Sequence, residues 1–265
     1  MRATYLFISV LTCIATLLFW FQPKNVEGPR VASVSVTTRA FPYEQLDQAL
    51  KIAYPEDRRL LEGPDFEALR SSPVTLDHYL GIISRVGPRN APHRFLRREE
   101  RLAYFLNAYT AGFLAIIRDA CPLTSVDDPY WFGGLFWRVS LLVGGEEMSL
   151  NDLASAALEL SQGDVRVLLA LSKGLHSDLP LRRSAWRPDD LEAGLSELQD
   201  TLVQEPYVKR DGDRLILSAL FQWYEHRFSP SPLRYLQAII PEVANEAKRV
   251  EYSPAERSLR GHCPL

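Results

Sequence analysis

Residues 95–120 read FLRREERLAYFLNAYTAGFLAIIRDA, and the burial of this stretch decides the fold. Leu102, Phe105, Leu106, Tyr109, Phe113, Ile116 and Ile117 form one helical stripe, while Tyr104, Ala108, Ala111 and Leu114 occupy the opposite side. A helix that is apolar on both sides is buried rather than surface-lying. The uncharged window Leu102–Ile117 contains Asn107, Tyr109 and Thr110 and is only 16 residues long. A membrane span needs about 20 apolar residues. The stretch therefore reads as the central core helix. Asn107 becomes a buried amide that must find hydrogen-bond partners, either by tethering a neighbouring loop or by binding a ligand.

On the N-terminal side, residues 43–52, 65–70 and 75–86 have helical patterns, and RNAPH (89–93) is a loop. On the C-terminal side, an apolar strand over Trp137–Val143, Gly144–Gly145 and a short return strand read as a hairpin. Ser149 followed by Asp152 marks a helix start, with the helix running to about Leu160. Asp164–Leu171 is either a helix or a buried strand. Asp189–Gln204 is an amphipathic helix, 207–218 a second hairpin around Asp211–Gly212, and 217–228 and 233–240 are helices. The tail, 250–265, reads as irregular. No strand–helix alternation is present, which argues against a doubly wound sheet. The expected class is α+β: a mainly helical single domain over 41–265, with one or two small antiparallel β-hairpins.

Before this domain lies TYLFISVLTCIATLLFWFQ (4–22), which carries no charge. Nineteen residues at helical rise span ~28 Å, close to a bilayer's hydrocarbon core. Phe19, Trp20 and Phe21 sit where aromatic rings favour the interface. Residues 1–22 thus read as an N-terminal transmembrane helix, a signal-anchor, with a cleaved signal peptide as the rival. Residues 23–40 read as a linker. The expected location is a single-pass membrane protein with its domain outside the cytoplasm. The expected partners are the membrane, through this helix, and a protein or small molecule. The net charge is −3 and no basic stripe is evident, which argues against nucleic acid. Cys121 and Cys263 either pair with each other, if exported, or remain as two buried thiols. No metal-ligand spacing and no nucleotide fingerprint occurs, so no metal or cofactor is implied.

Residues 170–182, ALSKGLHSDLPLR, place Ser172, Lys173, His176, Ser177 and Asp178 in one loop. Together the segments resemble the DUF547 family, over about residues 75–260. RLAYFLNAYTA (101–111) is similar to its LAFWINAYNA, and VGGEEMSLNDL (143–153) to its VGGxxxSLNDI. VRVLLAL (165–171) leads into the loop, and YVKRDGDRLILSALFQWYEHRF (207–228) matches its late hairpin and WY helix. The departures matter. Where the family continues Glu-His after SLNDI, this chain has Ala154 and Ser155. Where it has Asn-Cys after the apolar run, this chain has Ser172 and Lys173, and Asp178 stands at a second Cys. Pro180, Leu181 and Arg182 keep the loop's end, and the family's late Tyr-Asp-Trp-Ser-Leu-Asn becomes AERSLR (255–260).

A carboxylate, an imidazole and a thiol in one pocket would suit nucleophilic chemistry; Ala154, Ser155 and Lys173 do not supply it. The resemblance therefore implies a non-catalytic binding or scaffolding domain with a degenerate pocket and no catalytic residue. Asn107, Tyr109, Ala154, Ser155, Ser172, Lys173, His176 and Arg182 are its candidate lining. The alternative is a hydrolase or acyl-transfer enzyme with a rebuilt site, His176 acting as base toward Ser172 or Ser177 and oriented by Asp178.

Overall fold

The computed structural model describes residues 24–25, 41–126, 134–245 and 247–263. The expected anchor over 1–22 and residues 23 and 26–40 of the expected linker lie outside them. Among the described residues no helix is long and apolar enough to cross a membrane.

Three helices lead into the core: α1 (Glu44–Ala53), α2 (Phe66–Ser71) and α3 (Val74–Arg85). The ring of Phe41 packs 5.6 Å from Phe95 and 5.4 Å from Tyr104 between centroids, so ordered aromatic packing is already present there. The decisive stretch forms α4 (Arg98–Ala120), and every residue from Leu102 to Arg118 is buried. Its start is capped by Glu100, whose Oε2 accepts the Arg97 backbone N–H at 2.9 Å. Helices α2 and α3 pack on one side of α4, and α6 (Leu150–Leu160) packs along another. Being covered on all sides explains why α4 has no polar face.

The first hairpin joins β2 (Val139–Val143) to β3 (Glu146–Ser149). Gly144 and Gly145 both take positive φ, 60° and 84°, as a tight two-residue connection demands. The expected strand begins two residues late, because Trp137 and Arg138 end the short helix α5 (Gly134–Arg138). Antiparallel pairing starts only at Ser140, opposite Ser149. Within the expected linker, Lys24–Asn25 form β1, parallel to the start of β2. The predicted helix start at Ser149 is a reciprocal cap: its Oγ accepts from the Asp152 N–H at 3.2 Å, and Asp152 Oδ2 accepts from the Ser149 N–H at 2.9 Å.

The ambiguous stretch 164–171 is helical, α7 (Val165–Leu169), with Asp164 accepting from the Arg166 N–H. After α8 (Leu191–Leu202), the second hairpin pairs β4 (Val208–Asp211) with β5 (Arg214–Leu217). The expected helix over 217–228 is shorter: α9 covers Ala219–Trp223, and Tyr224 leaves helical dihedrals. Helices α10 (Pro232–Ile239) and α11 (Pro241–Ala244) follow. The described fold is thus a helical body with two small three-stranded sheets.

The tail corrects the reading of 250–265 as irregular. Strand β6 (Arg249–Tyr252) extends the second hairpin as a parallel neighbour of β5. Further on, Ser258 bridges Ser125, Leu259 bridges Leu175 and His262 bridges Asp65. Cys263 is bonded to Cys121, just past the end of α4 and 142 positions away in sequence. Periodicity could not reveal this course, because each contact is to a distant segment rather than along the tail itself.

A cross-link closing so long a loop restricts the unfolded chain strongly, by about 3–5 kcal/mol on the loop-entropy account. Urea unfolding should therefore show a lower midpoint for the reduced chain, and Cys121→Ser should match it without reductant. Equal midpoints for the oxidised and reduced chains would contradict the bond's role.

Candidate functional site

Helix α6 presents Leu150, Asn151, Ala154 and Leu158 on one face, as positions one and four apart along a helix require. The same space is lined by Leu168 near the end of α7 and by Leu171, Lys173 and Leu175 from the loop. Tyr109 of α4, Phe136 and Trp137 of α5, and Trp223 and Tyr224 line it too. These residues, with Val126 and Arg257, enclose a cavity of about 480 Å³. That lies within the range of small-molecule sites, as does the mixture of an apolar wall with a few polar groups.

Interactions with the tail and with α4 hold the loop wall. Tyr109 donates its hydroxyl to the carbonyls of Leu171 at 3.3 Å and Ser172 at 3.1 Å. Burial pushes this tyrosine well above its ordinary range, so it stays a neutral donor. Gly174 has φ of +68°, and a Cβ there would come within 2.2 Å of the Phe113 ring; the loop crosses α4 at a point where only glycine fits. Asp178 is buried and turned inward, its Oδ2 accepting the Lys173 N–H at 2.8 Å. From the tail, the Arg260 guanidinium donates to the carbonyls of Leu175, His176 and Asp178. The Arg260 backbone N–H bonds the carbonyl of Gly174 at 2.7 Å.

The loop's hydroxyls are engaged in the same way. Ser172 Oγ accepts the Gly174 N–H at 3.1 Å. Ser177 Oγ accepts the Glu256 N–H at 2.7 Å and donates to the Glu256 carbonyl at 3.2 Å. No hydrogen bond joins the His176 ring to Ser172, Ser177 or Asp178 in this geometry. The rebuilt Ser/His/Asp arrangement is therefore not assembled: Asp178 faces backbone N–H groups instead of orienting an imidazole. Short polar side chains in tight loops bond nearby backbone readily, and that is their use here.

Of the candidate lining residues, Tyr109, Ala154 and Lys173 face the cavity. The Lys173 ammonium lies 5.3 Å from the Tyr224 ring centroid, a cation–π contact. Burial raises the Tyr224 pKa, and Lys173 opposes that rise. Asn107, Ser155, Ser172, His176 and Arg182 are not among the lining residues. Asn107 is wholly buried, and both halves of its amide are taken by one backbone unit. It donates to the Trp186 carbonyl and accepts the Trp186 N–H, each at 2.8 Å. Ser155 is exposed beside Ala154. Arg182 stacks 4.3 Å from the Trp186 ring and meets Glu197 at 3.5 Å. Among the described residues no group of three His, Cys, Asp or Glu side chains is placed to hold a metal ion.

The positions unlike the family pattern now have places. Ala154 and Lys173, at which the resemblance implies a carboxylate and a thiol, line the cavity, whereas Ser155 is not among its lining residues. Residues 93–201 match the family model described as "Protein of unknown function, DUF547". This segment is a DUF547 domain. The matched stretch carries α4, the first hairpin, α6, α7, the loop and most of α8. The second sheet and the tail lie beyond it, although Trp223, Tyr224 and Arg257 complete the wall of the DUF547 cavity. No curated protein and no solved structure matches the chain.

Three contributors were not evident from sequence. Arg260 is a buried cation in a polar tail, with no local pattern to mark it. The sequence pattern puts Trp137 in a strand and Arg257 in an irregular tail. Trp223 and Tyr224 read more readily as core than as ligand wall; both are half-buried and line the cavity.

Asp178 supplies a test of the loop. Burial pushes its carboxyl up from 3.8 to about 6, against the pull of the Lys173 N–H and of the Lys173 and Arg260 charges. The buried Tyr109 and Tyr207 and the half-buried Tyr224 also lie near this carboxyl, and burial raises the pKa of each. The folded chain therefore keeps this proton to a higher pH than the unfolded chain does. Folding takes up a proton in between, so this group's contribution to stability is full below 3.8 and falls as pH rises through about 6. Denaturant unfolding should show wild type losing stability relative to Asp178→Asn across that window, by ~3 kcal/mol at most. A pH-independent difference between the two would show that the carboxyl is not held in this environment.

Proposed function

We propose that this chain is a membrane-tethered binding protein whose DUF547 domain takes a small ligand into the cavity beside α6 without performing thiol chemistry. The observation that carries this reading is the composition of the wall. A cavity of about 480 Å³ is kept, yet Ala154 and Lys173 stand in it where the resemblance implies reactive side chains. A methyl group is inert, and a lysine cannot replace a thiolate in the same mechanism. The engaged hydroxyls of Ser172 and Ser177 leave no nucleophile paired with a base in the loop.

Two observations support the tether and the location. The charge-free run 4–22 is long enough for a single span, and its aromatic end suits an interface. The bond between Cys121 and Cys263 suits an oxidising compartment, where disulfides persist. The domain on this reading lies outside the cytoplasm, held to the membrane by its N-terminal helix.

Saturation-transfer NMR on the full chain in lipid nanodiscs, with empty nanodiscs as reference, tests the cavity. The neutral probe 3-phenylpropanol should give a signal with wild type. Ala154→Trp, which fills the cavity, should abolish it, and Ala154→Leu should reduce it, with circular dichroism unchanged. An undiminished signal in both variants would contradict the reading.

A further inference from the structure

The charge of the cavity's described lining is one-sided. Among the described residues that line it, two are cationic, Lys173 and Arg257, and none is acidic. Arg257 is exposed and has a partner of its own, and nothing further is asked of it. Lys173 is different. Its stem emerges from the loop into a wall of leucines and aromatic rings, and its ammonium rests over Tyr224. Among the described residues no carboxylate forms an ion pair with it. Asp178, five residues on, accepts the Lys173 backbone N–H and feels the ammonium as a nearby charge without an ion-pair contact. The cation–π contact and the hydrogen bond to Tyr224 replace only part of the hydration an ammonium loses in such a wall.

We infer that the cavity selects an anionic ligand: a carboxylate or phosphate head, held by the Lys173 ammonium, on an apolar body of aromatic size. This rests on the binding role proposed above and names the class of ligand. The apolar body fits against Leu158, Leu171 and Trp223, which line the same space as the ammonium. The anion then replaces the water that Lys173 gives up, in a charge-assisted hydrogen bond of the stronger kind. A cationic head would meet like charge with no acidic residue in the described lining to receive it, which is rejection by repulsion as well as by lost attraction.

The test uses the full chain in nanodiscs and four probes sharing one body: 3-phenylpropionate, 3-phenylpropyl phosphate, 3-phenylpropanol and 3-phenylpropylamine. Saturation-transfer titrations, corrected with empty nanodiscs, give each dissociation constant. At least one of the two anions should bind about tenfold more tightly than the alcohol, the factor expected of one charge-assisted bond, and the amine should bind most weakly. The carboxylate and phosphate arms tell which head is preferred. Lys173→Met, which keeps the length of the side chain, should bring acid and alcohol to equal affinity, whereas Lys173→Arg should retain a preference for the anions. If the alcohol binds wild type as well as both anions do, the anion inference fails while the cavity reading stands. If the preference survives in Lys173→Met, the ammonium is not its source and the inference is again overturned. If none of the four binds, both fail together.

Discussion

Arg260 is 4% exposed, and its guanidinium donates mainly to backbone carbonyls. It reaches Leu61 on one side at 3.1 Å, and Leu175, His176 and Asp178 on the other at 3.4, 2.6 and 3.0 Å. Hydrogen bonds from a charged donor stabilise by roughly 1.5–3 kcal/mol each, and a buried carbonyl left without a partner costs a comparable amount. Arginine suits this task because its planar fork offers five donors at once and does not lose its charge. The loop 171–178 contains few apolar side chains that would fix it by packing. Its shape, and therefore one wall of the cavity, depends on this cation.

Arg260 can do this only if the tail is held in place. Strand β6, the bridges at Ser258 and Leu259, and the bond from Cys263 to the end of α4 provide that. Helix α4 is the common support. Its middle contributes Tyr109 to the loop carbonyls and Phe113 to the close approach at Gly174. Its other faces pack on α6, which forms the opposite wall. The cavity is therefore a gap between two elements fixed to one buried helix, and the tail sets its width.

Local features were legible in the sequence, and long-range ones were not. The buried helix shows because sixteen consecutive uncharged residues, Leu102–Ile117, cannot be solvated on either face. The cap at Ser149 and the turn at Gly144–Gly145 show because both are set by residues within a few positions of each other. The loop 170–182 reads as reactive because Ser and Asp, which can serve a nucleophilic site, are also residues that bond backbone in tight loops; the sequence alone does not separate those two uses. Asn107 could be read as a buried amide in need of partners, but its partner, Trp186, lies 79 residues away. Arg260 bonds segments 82 to 199 residues distant, and nothing near it in the chain signals that it is buried.

Amide hydrogen exchange on the full chain in nanodiscs, comparing wild type with Arg260→Met, addresses the central claim most directly. The account predicts that protection is lost at Lys173, Gly174 and Asp178, whose N–H groups are bonded within or beside the clamped loop, while the amides of α4 from Leu106 to Phe113 keep theirs. Protection of the loop equal to wild type in Arg260→Met would show that the guanidinium does not hold it.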